Sequence, residues 1–124
     1  LLADVSGYFP QGSSLSSLSP SRILNTRLTG AIGARDGSAG PLVLNVFGKG
    51  GVPASGVSAV VLNVTAVEPE VGGEGGFLTV YPCASGRPDA SNLNFVSGQI
   101  VPNLVIAPVD VNGNICFYNK NYYA

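Results

Sequence analysis

The chain contains no histidine. Without an imidazole, the usual serine and cysteine triads lose their general base. Lys49 and Lys120 could in principle serve a serine–lysine pair, but each stands in a Gly- or Asn-rich stretch with no serine motif beside it. Charge is scarce as well: only 10% of the residues are charged and the net charge is −1, against roughly 25–35% on an ordinary soluble surface. The few basic residues are scattered, which argues against nucleic acid as a partner. No apolar run approaches the roughly 20 residues of a membrane-spanning helix, so membrane insertion is not expected. No stretch of ten or more residues carries the 3.6-residue period of an amphipathic helix. The chain opens at Leu1-Leu2-Ala3 with no initiator Met and no basic leader; we expect a processed chain or one unit of a longer one.

Catalytic carboxylates are no better placed. Glu68, Glu70 and Glu74 crowd one Gly-rich segment, while Asp4, Asp36, Asp89 and Asp110 are dispersed; glycosidases need two acids facing one cleft. Gly72 to Gly76 lacks the Lys-Ser/Thr that completes a phosphate-binding loop. Asp110-Val-Asn-Gly-Asn114 alternates oxygen-bearing side chains, but the glycine comes too early for a calcium loop and no glutamate follows at the required distance. An Asn112-Gly113 hairpin turn explains those residues better. We therefore expect no catalytic residues, no metal and no cofactor.

What is present is short, β-branched and punctuated. Hydrophobic residues make up 45% of the 124 positions, enough for one domain with a real core. The organising stretch is Val57 to Val67, bounded by Pro53 and Gly56 before it and by Pro69, Gly72 and Gly73 after it. Both of its parities are largely apolar, which predicts a central strand with Val60, Leu62 and Val64 facing the core and Asn63 and Thr65 on the second face. The Asn63-Val-Thr65 sequon lies mid-strand and is read as structural.

Further strands are expected at Leu1–Phe9, with Leu1, Ala3 and Val5 inward and a bulge at Gly7, and at Ser21–Arg27 after a Ser/Gly/Pro-rich loop from Gln11 to Pro20. The same reading gives Pro41–Phe47, Phe77–Tyr81, Ser91–Val96, and Asn103–Ala107 limited by Pro102 and Pro108. A final hairpin is expected to join a strand ending near Val111 to Ile115–Tyr118 across Asn112-Gly113. About eight short antiparallel strands predict an all-β sandwich, with a β-trefoil or small barrel as the alternative. Leu42-Val-Leu-Asn-Val46 echoes Val60-Val-Leu-Asn-Val64, without the fixed spacing of a solenoid.

The two cysteines, Cys83 and Cys116, suit a disulfide better than a metal site, which would want four ligands. Such a bridge stabilises by about 3–4 kcal/mol in the chain-entropy account and belongs to an oxidising, extracellular or cell-surface setting. Tyr118, Asn119, Asn121, Tyr122 and Tyr123 form an aromatic–amide cluster suited to an interface or to a glycan. An ion pair between Arg27 and Asp36 would pin the Thr29–Gly40 connection.

Ser21-Arg-Ile-Leu-Asn-Thr-Arg27, Ala59-Val-Val-Leu-Asn-Val-Thr-Ala-Val67, Gly76-Phe-Leu-Thr-Val-Tyr-Pro-Cys83, Ala90-Ser-Asn-Leu-Asn-Phe95 and Val101-Pro-Asn-Leu-Val105, in that order, resemble a repeat domain of large secreted actinobacterial surface proteins. The family pattern carries Asp where Asn25 stands. The resemblance implies a non-enzymatic extracellular β-domain occurring in tandem arrays, in which a segment like Ala3–Phe9 closes one repeat. On that basis Leu1, Leu2, Ala3, Val5, Tyr8 and Phe9 are candidates for an interface strand that residues 1–9 donate to a neighbouring unit. The alternative is that the strand folds back on its own domain beside Val109 to Tyr118. Two function classes follow: a structural repeat that assembles with copies of itself or adjacent repeats into an array or filament, and an adhesion module for a cell-surface glycan.

Overall fold

The computed structural model describes residues 1–29, 40–67 and 75–120. Eight strands are β1 (Leu2–Pro10), β2 (Ser16–Asn25), β3 (Leu42–Asn45), β4 (Val57–Val67), β5 (Gly76–Pro82), β6 (Leu93–Phe95), β7 (Ile100–Pro108) and β8 (Asn114–Lys120), with one helical turn, α1 (Thr26–Thr29), after β2. They form two four-stranded antiparallel sheets, β2-β1-β4-β7 and β3-β8-β5-β6. Inward residues of both sheets build one core, so the architecture is a β-sandwich. The sequence period decides which residues those are: Val60, Leu62, Val64 and Ala66 of β4 are fully buried, as are Leu78 of β5 and Ile115 and Phe117 of β8.

Two placements differ from the sequence expectation. The first concerns β1. Residues expected to be offered to a neighbour are interior to their own sheet, because β1 pairs with β2 along one edge and β4 along the other. Leu1, Ala3 and Val5 enter the core and Tyr8 packs against it. Donating this strand would mean exchanging it between copies. The strand folds back on its own domain, as the alternative had it, but between β2 and β4 and not beside 109–118. The bulge expected at Gly7 is present: both ladders shift register between Val5 and Gly7.

The second concerns prolines and turn residues. β2 begins at Ser16 and runs through Pro20, a stretch expected to be loop, and β7 runs through Pro102, starting at Ile100, although it does end at Pro108. Both strands are sheet edges, where a missing N–H need not break a ladder. Val109 donates its N–H to the Ser58 carbonyl at 3.0 Å, so odd positions of β7 face β4 and the prolines face the free edge. Asn112-Gly113 does make a tight turn, with Gly113 N–H donating to the Asp110 carbonyl at 2.9 Å. It carries the chain from one sheet to the other and is not a hairpin.

Asn25 ends β2 and caps α1: its Oδ1 accepts the Arg27 backbone N–H at 3.0 Å and Arg27 Nε at 3.2 Å. Asp36 lies outside the described residues, and the contact of Arg27 that the structure gives is this one to Asn25. We expect Asn25→Ala to lower the unfolding free energy by about 1 kcal/mol and Asn25→Asp to retain it, because a carboxylate accepts the same bonds at a helix start. Urea denaturation of the two variants checks this. An Ala variant indistinguishable from wild type would remove the cap from the account.

Candidate functional site

Sheet β2-β1-β4-β7 has an inner face in the core and an outer face that is open along β7, half-buried at Ala59 and Val61 of β4, and closed at Leu2 of β1, which is buried. Ile100, Leu104 and Ile106 of β7 are 64, 63 and 58% exposed, whereas Val105 and Ala107 between them are buried. Register places Ile106 beside Val61, Leu104 beside Asn63, and Pro108 beside Ala59. Ala59 in turn pairs with Phe9, and Val61 with Gly7. Leu15, 52% exposed, closes over Gly7: a Cβ there would lie 3.0 Å from Leu15 Cδ1 and 3.7 Å from Val61 Cγ2. The outer face is thus an apolar surface spanning β1, β4 and β7. Its polar share is Asn63, Thr65 and the Asp4–Arg22 ion pair, with Nε to Oδ1 at 2.7 Å and Nη2 to Oδ2 at 3.1 Å. The hydrogen bond to Asp4 raises the Arg22 pKa above its ordinary value, against a smaller loss from desolvation.

The free edges are all blunted. β3 has four residues and β6 three; β2 carries Pro20, and β7 carries Pro102 and Pro108. Short strands and edge prolines discourage pairing with another chain. Contact through this sheet therefore favours the face over the edge.

The outer face of the other sheet holds a second cluster. Cys83 and Cys116 form a disulfide with Cα atoms 5.1 Å apart, as the cysteine count suggested. The bridge packs with Tyr81, Tyr118 and Phe77. Phe77 and Tyr118 have ring centroids 6.0 Å apart at 47°, and the Arg87 guanidinium lies 3.7 Å from the Tyr118 centroid. Tyr118 is buried at the base of this cluster, and Asn119, also buried, follows it on β8 and so faces the opposite side of the sheet. These two members of the expected aromatic–amide cluster are therefore not brought together. Asn121, Tyr122 and Tyr123 lie outside the described residues, as do Glu68, Glu70 and Glu74.

Asp110 Oδ1 accepts the backbone N–H groups of Asn112 and Asn114, both at 2.9 Å, which identifies it as a turn residue. Asn45 Nδ2 secures the same turn through the Asn112 carbonyl and Asn114 Oδ1. At the start of the chain the Leu1 ammonium donates to Thr26 Oγ1 at 2.6 Å. Burial, and then the nearby Arg27 charge, lower its pKa. Among the described residues no three of His, Cys, Asp or Glu gather closely enough to hold a metal ion, and no helix is long and apolar enough to cross a membrane.

Sequence reasoning missed β7 as a site. Ile100, Leu104 and Ile106 do alternate with Val101, Val105 and Ala107, but both parities are apolar, so the sequence carries no sign of which faces out. Searches of protein-family models, characterised proteins and solved structures find no match to this chain.

Proposed function

We propose that this chain is a non-enzymatic structural unit, working outside the cell, that packs against further copies of itself through the outer face of the sheet β2-β1-β4-β7. The observation that carries this reading is the exposed apolar row Ile100, Leu104 and Ile106 of β7, continued by Val61 beside Ile106 and by Phe9 across Ala59. Its size fits. Four strands about 4.8 Å apart and nine residues at about 3.3 Å each give a face of roughly 19 by 30 Å. That plan area of roughly 570 Å² corresponds to a larger accessible area, of the order of the about 800 Å² that each partner of a stable complex buries. A second copy suits the face electrostatically, since a net charge of −1 gives little mutual repulsion. The disulfide is compatible with an oxidising compartment. The resemblance to tandem surface repeats supports an array, in which this face would join neighbouring units side by side.

The test is the oligomeric state. Sedimentation velocity over a wide concentration range should show wild type associating reversibly, and negative-stain images should show ordered clusters or fibres. Leu104→Lys combined with Ile106→Lys should be monomeric, with an unchanged melting temperature, because both side chains are solvent-exposed in the single chain. Wild type that stays monomeric at millimolar concentration, or a double variant that associates as before, would refute the reading.

A further inference from the structure

Phe77 stands between two hollows on the outer face of the sheet β3-β8-β5-β6. One, of about 330 Å³, is lined on its polar side by Asn94 and Gln99; the other, of about 210 Å³, by Arg87, Asp89 and Ser91. Together they are of the size of small-ligand sites. The polar groups around the ring are fixed but not used up. Gln99 Oε1 accepts the Val96 N–H at 2.9 Å, so its two Nε2 protons remain to donate. Asn94 Oδ1 accepts the Ser91 hydroxyl at 3.1 Å, leaving Nδ2 likewise. The Asp89 carboxylate accepts from nothing among the described residues. The Arg87 guanidinium lies over the Tyr118 ring, a contact that uses none of its N–H groups as hydrogen-bond donors to another side chain.

We propose that this cleft binds a neutral oligosaccharide, with one sugar ring against each side of Phe77. Three features select that class. Arg87 and Asp89 line the same hollow with opposite formal charges, so that lining favours neither a polyanion nor a polycation. Free donors on Gln99, Asn94 and Arg87 and an acceptor on Asp89 surround one aromatic ring, matching hydroxyls that both give and accept hydrogen bonds. The aromatic ring itself offers an apolar face for the C–H side of a pyranose. Two hollows sharing one wall fit linked rings better than a single one. This site lies on the opposite sheet from the proposed self-packing face and stands or falls independently of it.

The test uses the whole chain and four neutral probes, the hexasaccharides of cellulose, chitin, xylan and mannan, followed by saturation-transfer NMR and calorimetry up to about 10 mM. At least one should bind. Asp89→Asn and Gln99→Ala should each weaken it by about tenfold or more; both residues are exposed, so Asp89→Asn should leave the melting temperature unchanged and Gln99→Ala should lower it only slightly, through the lost Val96 N–H bond. Phe77→Ala should abolish binding; where that variant is unstable, the two exposed variants decide. No binding of any probe, binding indifferent to both exposed variants, or binding of heparin alone would overturn the proposal. The Leu104→Lys, Ile106→Lys protein should bind the same sugar as wild type does.

Discussion

Replacing Cys83 and Cys116 together with alanine is expected to lower the unfolding free energy by about 3–4 kcal/mol. The bridged residues are 33 positions apart, and the loop they close holds β6, β7 and the beginning of β8. The unfolded chain without the bridge regains the freedom of that loop, whereas the native sheet keeps every strand pairing. Against a domain stability of about 5–15 kcal/mol, the loss is large enough to move the denaturation midpoint plainly. Packing contributes separately. Cys116 is buried against Tyr81 and Tyr118, and alanine removes a sulfur from that cluster. Reducing the wild-type protein leaves both sulfurs in place and isolates the cross-link. Reduced wild type should therefore lose most of what the double variant loses. It should also exchange the Tyr118 amide faster, since Cys83 anchors the segment from which Arg87 reaches the Tyr118 ring. A reduced protein within about 1 kcal/mol of the oxidised one would show that the sheets, and not the bridge, hold this region.

The inner half of the sandwich was legible because period two is a local signal. Val60, Leu62 and Val64, and Leu1, Ala3 and Val5, were expected inward and are buried. The outer half was not legible, because apolar residues at both parities of β4 read as a strand covered on both sides. The structure makes β4 central within its sheet yet leaves its second face open, and that difference is what the proposed self-packing rests on. The prolines misled for a related reason. Pro102 signals an end to a strand only if the strand is interior, and Pro20 likewise; edge position is a property of the whole sheet that no local window contains. Asn112-Gly113 announced a turn correctly but could not say which sheet each flanking strand joins. The Phe77 cleft was invisible for a third reason. Gln99, Asn94, Asp89 and Arg87 sit in connections or on the shortest strand and meet only because β5 and β6 pair as Phe77 to Asn94.

Gly113→Ala is expected to cost about 2–5 kcal/mol, and a comparison with Gly98→Ala shows why. The two glycines have nearly the same backbone, with φ of 81° and 79°. In this left-handed region an alanine Cβ costs about 1–2 kcal/mol by its own sterics. At Gly98 that is the whole cost, since nothing lies within 4 Å of the added atom. At Gly113 the same atom would come within 2.7 Å of three ring carbons of Phe47. Phe47 packs against the core, so the ring cannot retreat freely, and overpacking of this kind adds about 1–3 kcal/mol. The turn must then shift, and with it the Asp110 and Asn45 hydrogen bonds that hold the crossing between the sheets. Chemical denaturation of both variants gives the difference directly. Phe47→Leu made in the Gly113→Ala background should recover part of the loss, a coupling expected only for residues in contact. Equal costs at the two glycines, or no coupling to Phe47, would mean that the turn carries the alanine by rearranging away from the ring.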